Sequence, residues 1–330
     1  MLDKQKILKF LGYKLVRFAI LLVAVILLSF ILIDMSPINP VNAYISNMMV
    51  SPEKIAKLEA YWGVNQPITD KLINWLGNIL RGDLGTSLIY RIPVINVISQ
   101  KFTASLILMM TSWVISGVLG FALGVLAGFK RDTWVDKAVK TYCYILQSAP
   151  TFWIALLVVM VFAIWLGWFP VSGGVPIGAL SDTVSFWDWL RHLILPAFTL
   201  SILGVASIAL YTRDKLIEVM STDYILFAKA RGESGWNLIK RHGIRNILLP
   251  AVTLQFLSFS ELFGGTVLVE QVFMYPGIGS AAVSAGLKSD VPLLLGIVIF
   301  SAIFVYVGNL IADILYNFID PRIREGAEDG

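Results

Sequence analysis

Six long apolar runs constrain this sequence more than any other feature. Each reaches the roughly 17–25 residues that an α-helix needs to cross the hydrocarbon core of a bilayer. In lipid, backbone polar groups must be satisfied within the segment itself, which makes helix the default for a spanning run. The composition agrees, because 57% of the residues are hydrophobic and only 15% are charged. The sequence therefore predicts an all-α polytopic membrane protein whose six transmembrane helices are Leu15–Ile33, Thr103–Gly128, Tyr142–Leu166, Leu193–Tyr211, Ile247–Val269 and Val291–Ile314.

The distribution of basic residues predicts the orientation of these spans. Short loops on the cytoplasmic side of a membrane protein are enriched in lysine and arginine. If the N-terminus is cytoplasmic, eighteen of the 26 basic residues fall on the cytoplasmic side, and each short outer loop holds one. Both termini are therefore predicted to be cytoplasmic. The first apolar run is longer than the core of a typical signal peptide and lacks a clear cleavage site, so we expect it to remain as a span.

The predicted spans divide the chain into four parts. The long outer loop contains two helical patterns, Ser51–Gly63 and Thr69–Arg81, which predict a small extracytoplasmic helical cap. The parts are a cytoplasmic N-terminus with the first span (1–33), the extracytoplasmic loop (34–102), a five-helix core (103–318) with a cytoplasmic loop at 212–246, and a cytoplasmic tail (319–330).

Three glycines in the second span predict close helix packing. Gly120, Gly124 and Gly128 stand four residues apart and therefore lie on one face of a helix. Small residues at this spacing allow two helices to approach closely in lipid. In the third span Pro150 predicts a bend, because proline removes a backbone hydrogen bond.

Polar residues in the fifth span suggest a translocation pathway. Gln255, Ser258 and Glu261 fall at i, i+3 and i+6, roughly on one side of a helix. Intramembrane polar groups are costly and usually face a protein interior or a water-filled path. The alternative is that they only form hydrogen bonds between helices. Glu270 lies near the outer end of this span, where a charge needs no special role.

The predicted cytoplasmic loop contains the basic stretch FAKARGESGWNLIKRHGIRNILLP, residues 227–250. A cap at Asp223 is predicted to begin a short helix, and Gly232 to end it, because glycine accepts the left-handed conformation found at helix ends. A second short turn is predicted around Trp236. A basic, two-segment projection of this kind is suited to docking into a groove on a soluble partner.

Sequence motifs for catalysis are absent from the 330 residues. There is no GxxxxGK[ST] phosphate loop, no HExxH, no paired CxxC and no GxSxG. The two histidines, His192 and His242, fall on opposite membrane faces in the predicted topology, and the single cysteine is Cys143. The net charge of +4 reflects the inner-face bias and does not indicate nucleic-acid binding. Transport, channel activity, and structural or receptor roles remain as function classes.

Several motifs resemble one family of transport proteins. The pattern FAKARG, a spacer and RHGIRNILLP is similar to the inner signature loop of the dipeptide/oligopeptide/nickel permeases of ABC importers. Phe227 stands at the first position of that signature, where the family usually has Glu or Thr. Further matching stretches are GDLGTS (82–87), PV (93–94), SAPTFW (148–153), PVSGG (170–174), VEQVFMYPGIG (269–279) and LIADILYNFIDPRIR (310–324).

The resemblance implies a six-span permease in the cell membrane of a prokaryote. It implies four kinds of partner: a second related permease subunit, two cytoplasmic ATPases that bind ATP and Mg, an external substrate-binding protein, and the lipid bilayer. No cofactor is expected on this chain. The resemblance also assigns the ATPase-coupling role to Ala228, Ala230, Arg231 and Gly232, supported by the turn to Lys240.

The substrate stays open at this level. The family transports short peptides, glutathione-like conjugates, and nickel or metal chelates, and its selectivity rests largely with the binding protein. Peptides are favoured here. Nickel is the alternative, since ELFGG (261–265) resembles the nickel branch. Hypotheses of a different class are an ion-coupled carrier, a passive channel and a structural membrane scaffold.

Overall fold

The computed structural model describes residues 4–35, 66–176 and 184–319, together with positions 41, 45, 51–53, 55, 56, 59 and 178. Regular structure in these residues is helical apart from one isolated β-bridge between Thr86 and Pro93. The helices are α1 (Lys4–Asp34), α2 (Ile68–Leu80), α3 (Val94–Phe129), α4 (Trp134–Ser148), α5 (Thr151–Val158, continued by the π-helix Val159–Trp165), α6 (Phe186–Met220), α7 (Asp223–Ala230), α8 (Gly235–Leu238, continued by the π-helix Ile239–Gly243), α9 (Ile244–Leu257), α10 (Phe259–Val272), α11 (Ile278–Leu287) and α12 (Val291–Ile319).

The described helices account for the six predicted spans in two ways. Three are long and apolar enough to cross a membrane by themselves, namely Gly12–Ile31, Val94–Phe129 and Val291–Ala312. Three bent pairs of consecutive segments pass the same test together: Trp134–Ser148 with Thr151–Trp165, Phe186–Ile202 with Gly204–Met220, and Gly235–Leu257 with Phe259–Val272. Counting each bent pair as one span gives six, the predicted number. The cytoplasmic position of both termini and the four-part division of the chain stay predictions.

The third predicted span is broken rather than mildly bent. Helix α4 ends at Ser148 and α5 begins at Thr151, with their axes 110° apart. Ala149 adopts an extended conformation, with φ −90° and ψ 134°. The ring of Pro150 disfavours helical geometry at the residue before it, and this preference explains why the helix stops there.

The fifth predicted span also contains a bend. The axes of its two parts differ by 49°, and the break lies at Ser258, between α9 and α10. The Ser258 hydroxyl donates a hydrogen bond to the carbonyl of Gln255 at 2.9 Å. A serine that bonds back to its own helix competes with the backbone ladder and often bends the helix. The prediction of one continuous helix over Ile247–Val269 is therefore corrected.

The chain divides into two compact units. The first comprises residues 1–103 and 280–306. Here Phe30 packs against Trp75 of α2 at a ring distance of 5.5 Å, and Phe102 of α3 makes an edge contact with Phe300 of α12 at 4.7 Å. Helix α2 matches the predicted helix Thr69–Arg81 to within one residue at each end. The predicted helix Ser51–Gly63 and the tail from residue 320 lie outside the described residues, apart from scattered positions.

Asp290 organises the loop before α12 in this first unit. Its side chain is fully buried and accepts hydrogen bonds from the Ser87 hydroxyl at 2.5 Å, from the Ile89 N–H at 3.0 Å and from the Leu293 N–H at 3.2 Å. The last bond satisfies a free donor in the first turn of α12. Burial and the nearby Asp290 carboxylate raise the pKa of Tyr90.

The second unit comprises residues 104–279 and 307–330 and contains the basic loop. Its interior includes a cluster of Cys143 from α4 with Ala206 and Ala209 from α6. These small side chains allow α4 and α6 to pack closely, and both helices lead to the predicted cytoplasmic side.

Candidate functional site: the basic segment 221–246

Residues 221–246, here called the basic segment, form two short helical pieces separated by a glycine-containing turn. Helix α7 begins at Asp223, with Thr222 rather than Asp223 in the capping position. The Asp223 carboxylate lies in the first turn, where the positive end of the helix dipole favours a negative charge. At the other end Gly232 has φ +92°, so the predicted left-handed stop is confirmed. Its N–H donates to the carbonyl of Lys229 at 2.9 Å.

A small apolar core holds the two pieces together. Ile225 and Ala228 of α7 and Leu238 of α8 are buried in one cluster, with Met220 packed against it. The Glu233 N–H donates to the carbonyl of Ala228 at 3.2 Å. The predicted coupling residue Ala228 therefore faces this core.

The opposite side of α7 is exposed and mixes aromatic, aliphatic and basic side chains. Leu226 and Phe227 are each 66% exposed. Lys229, Ala230 and Arg231 are also exposed, and so is Lys240 in the following turn. Exposed apolar side chains ringed by basic ones are typical of a surface that meets another protein. Phe227, the departure from the family signature, lies on this exposed surface.

Polar contacts lock the second piece against the first. The Glu233 carboxylate lies 3.0 Å from Nε2 of His242 and 3.6 Å from Nη1 of Arg241. The Asn246 amide donates to the Tyr224 hydroxyl at 3.0 Å and to the His242 carbonyl at 2.6 Å. These ion pairs and hydrogen bonds hold the two helical pieces of the basic segment together. The ring of His242 is therefore held by Glu233 and is only partly exposed.

The basic segment borders a groove of about 460 Å³. Its lining includes apolar side chains of α3, α6 and α8, together with the glycine turn and Lys229. The lining residues are Gly128, Phe129, Met220, Lys229, Gly232, Glu233, Ser234, Gly235, Leu238 and Ile239.

The basic segment is packed onto the ends of the neighbouring long helices. Val125 of α3, Leu216 of α6, Ile239 of the segment and Ile247 of α9 form one buried cluster. The Phe129 ring also meets the ring of Trp236 at 5.8 Å. Because these contacts are close and apolar, displacement of the segment would displace the ends of α3, α6 and α9 with it.

The three glycines of α3 lie where that helix meets α6. A Cβ built on Gly120 would lie 2.9 Å from the Val205 carbonyl oxygen, and one on Gly124 would lie 2.6 Å from that of Ala209. A Cβ on Gly128 would lie 2.9 Å from a methyl carbon of Leu216. All three are therefore positions where α3 and α6 approach closely.

The three polar residues proposed for a pathway do not share one environment. Gln255 is buried, and its amide nitrogen donates to the Trp113 carbonyl at 2.6 Å while the Trp113 ring N–H donates to the Gln255 carbonyl at 2.9 Å. Ser258 lies at the bend, and Glu261 is exposed on α10. Gln255 therefore forms interhelical hydrogen bonds, as the alternative interpretation describes. The pathway role of Gln255, Ser258 and Glu261 stays a prediction.

The burial of two acids in this unit was not predicted from the sequence, and Glu270 was expected only to lie near the outer end of its span. Asp136 of α4 pairs with Arg213 of α6, 77 positions along the chain, and no spacing rule connects them. Glu270 has no exposed surface, and its carboxylate accepts a hydrogen bond from the Ser105 hydroxyl at 2.5 Å. The oxygen of the same hydroxyl accepts a hydrogen bond from the Ile278 N–H at 2.8 Å.

The glycines of the motif VEQVFMYPGIG pack around Glu270. A side chain at Gly277 or Gly279 would collide with its carboxylate. Tyr275 is buried beside it, and burial together with the Glu270 charge raises the pKa of Tyr275 to about 12. These glycines beyond the span were the available signal that the acid has a packed, structural environment.

Comparisons with known proteins agree with this arrangement. A family model described as "Binding-protein-dependent transport system inner membrane component" matches residues 120–325, which include α4 to α11 and the basic segment. The oligopeptide transport system permease protein AppB of Bacillus subtilis (strain 168) is 34% identical over 305 residues, covering 92% of this chain and 95% of that protein.

A second relative gives the same result. The di/tripeptide transport system permease protein DppB of Pseudomonas aeruginosa (strain UCBPP-PA14) is 35% identical over 315 residues, covering 91% of this chain and 94% of that protein. These matches extend over nearly the full length of both relatives. The chain belongs to the family of inner membrane components of binding-protein-dependent transport systems, and it is a multi-pass permease of the prokaryotic plasma membrane.

Proposed function

We propose that this chain forms half of the translocation pathway of an ATP-driven importer of short peptides. A second related permease would supply the other half, two cytoplasmic ATPases would bind ATP and Mg, and an external binding protein would deliver the peptide. The observation that carries the proposal is the structure of the basic segment. Its inner face is fixed to the ends of three long helices, while its outer face exposes apolar and basic side chains.

The exposed face explains how work done elsewhere would reach the membrane. Leu226 and Phe227 would enter an apolar pocket of the ATPase, and Arg231 and Lys240 would meet acidic groups at its rim. Closure of the ATPases would move the segment and, through the cluster at Val125, the attached helices. Such a rigid-body motion could switch the pathway between inward and outward openings.

Peptides are favoured over nickel on two grounds. The relatives AppB and DppB are named as oligopeptide and di/tripeptide permeases. In addition, the described residues contain no group of three or more His, Cys, Asp or Glu side chains that could hold a metal ion. Import of nickel or a metal chelate by the same machinery is the second candidate.

The proposal is tested by reconstitution in proteoliposomes with the candidate ATPases and binding protein. We expect uptake of a labelled tripeptide that requires ATP, and no ATP-dependent uptake of nickel. Arg231→Glu should weaken ATPase binding, because it reverses a charge on the exposed face. Gly232→Val should do the same, because a β-branched residue is strained at φ +92°.

The results separate the classes of function. Uptake that proceeds without ATP would identify a channel or an ion-coupled carrier instead. If ATPases bind both altered chains as tightly as the original, the basic segment is not the docking site. Lys71→Glu is a suitable control, since it reverses a charge on α2, remote in sequence from the basic segment.

A further inference from the structure

The stretch of chain that contains the fifth predicted span carries acidic residues and no basic ones. From residue 246 to residue 287 the sequence contains two acids, Glu261 and Glu270, and no lysine or arginine. The stretch Val291–Ala312 of α12 contains no charged residue at all. A substrate that passes α10 therefore meets acidic side chains of this stretch and no basic ones.

The two acids differ in their surroundings. Glu270 is fully buried and bonded to Ser105, so its charge serves internal packing. Glu261 is exposed, and among the described residues the structure gives its carboxylate no hydrogen bond and no ion pair. A charged side chain at the centre of a lipid-facing helix costs about 2.5–3.5 kcal/mol even on the mildest scale. We therefore expect Glu261 to face a water-containing path rather than lipid.

Two further residues of α10 share the exposed side on which Glu261 lies. Gly264 and Leu268 follow at i+3 and i+7 on the same side of α10, and both are exposed. A Cβ built on Gly264 would meet nothing within 4 Å, so there is open space one turn from the carboxylate. Next to Glu261, the Ser260 hydroxyl donates a hydrogen bond to the side-chain oxygen of Asn309 on α12. The face thus offers one acid, open space at Gly264, an apolar side chain and neutral polar groups.

We propose that Glu261 binds the protonated amino terminus of a peptide during its passage. An ammonium group needs one carboxylate and a few neutral acceptors, which this face contains. A divalent metal ion needs several ligating side chains, and the described residues offer no such group. The open space at Gly264 would leave room for the first residues of the peptide. This inference rests on the proposed function, because it assumes that peptides are the substrate.

The test compares a tripeptide with its N-acetylated form in the reconstituted transporter. Both peptides are supplied at concentrations that saturate the binding protein, so that the permease alone sets the ratio of uptake rates. We expect the original chain to transport the free peptide about tenfold faster, the size of one hydrogen bond to a charged group. Glu261→Gln should reduce this preference to less than about twofold by slowing the free peptide, while Glu261→Asp should retain most of it.

Two further variants keep the result interpretable. Gly264→Leu fills the open space at Gly264 without changing charge, and it should slow both peptides by the same factor. Asp70→Asn removes an exposed carboxylate from α2 and should change neither rate. Thermal unfolding of each variant in detergent checks that it has folded.

The outcomes distinguish this inference from the proposed function. If the original chain takes up neither peptide in an ATP-dependent manner, the peptide-importer proposal fails. If uptake depends on ATP but the preference for the free peptide is unchanged in Glu261→Gln, only the role of Glu261 is overturned.

Discussion

Arg213 of α6 clamps Asp136 of α4 through two hydrogen bonds. Nε of Arg213 donates to Oδ1 of Asp136 at 2.5 Å and Nη2 donates to Oδ2 at 2.8 Å, while the Asp136 side chain has no exposed surface. The Asp132 N–H also donates to Oδ2 at 3.0 Å, which ties the turn between α3 and α4 into the pair. The pair thus joins two bent spans, and its Arg213 lies ten residues before the first residue of α7.

Removal of one partner of this pair should be strongly destabilising. Asp136→Ala leaves a largely buried guanidinium without its main partner, and breaking a buried pair in this way costs about 3–5 kcal/mol. The double replacement Asp136→Leu with Arg213→Met removes both charges and should recover most of that stability. Thermal unfolding of the purified chain, followed by tryptophan fluorescence, measures the difference. A double variant as unstable as Asp136→Ala would show that the charges are not the source of the effect.

Substitution at the close approach of α3 and α6 should damage packing. Gly124→Leu places a Cβ where the Ala209 carbonyl oxygen and the Thr212 Cβ already lie, each at 2.6 Å. We expect a loss of about 1–3 kcal/mol in the free energy of unfolding, the usual cost of overpacking. Gly77→Ala is the matched control, because its Cβ meets nothing within 4 Å and alanine favours the helix. If both variants unfold at the temperature of the original chain, the helices separate more easily than their packing indicates.

Truncation of the exposed face of α7 should affect association and leave stability unchanged. Phe227→Ala removes a ring that is 66% exposed and therefore contributes little to the fold. If this ring anchors the ATPase, its loss should weaken binding by about 10-fold or more. Phe152→Ala, at another exposed phenylalanine, is the control. The affinity of purified ATPase for each detergent-solubilised variant provides the measurement, and equal affinities would remove Phe227 from the interface.

The buried contact between Ser105 and Glu270 should control the opening of the turn that follows α10. Ser105→Ala leaves the Ile278 N–H buried and without its hydroxyl partner, which costs about 1–3 kcal/mol. Hydrogen exchange of peptides covering residues 273–280 should accelerate accordingly. Ser148→Ala, which removes a hydroxyl bonded only to its own helix, should leave that exchange unchanged. Equal exchange in the two variants would mean that the hydroxyl does not hold the turn.

The same turn should show an unusual alkaline titration. Burial and the nearby Glu270 charge raise the pKa of Tyr275 to about 12. Its phenol therefore stays protonated to a higher pH in the folded chain than in the unfolded chain. Its contribution to stability is complete below the unfolded pKa of about 10 and is lost as the pH rises toward 12. Tyrosinate absorbance should be the same for the original chain and for Tyr275→Phe near pH 10. The difference that Tyr275 contributes should appear only as the pH rises toward 12. A full difference signal near pH 10 would contradict the burial of this phenol.

The length and order of the membrane-spanning elements could be predicted from the sequence, because lipid imposes a minimum apolar length on each span. The break at Gly232 was equally predictable, since one residue type accepts its backbone conformation. The bend at Ser258 and the turn of 110° at Pro150 were less accessible. Proline and serine allow a helix to deviate, but the angle depends on what the two halves pack against.

The sequence by itself determined that this chain is a helical membrane protein with a basic, glycine-broken loop on one side. Apolar run length, charge asymmetry and glycine placement act locally, so they can be read along the chain. Only the tertiary structure decided that Asp136 meets Arg213, that Glu270 is buried, that Gln255 bonds to Trp113 and that Glu261 stays exposed. Whether a polar side chain is paired depends on residues many positions away, and only the folded packing brings them within hydrogen-bond distance.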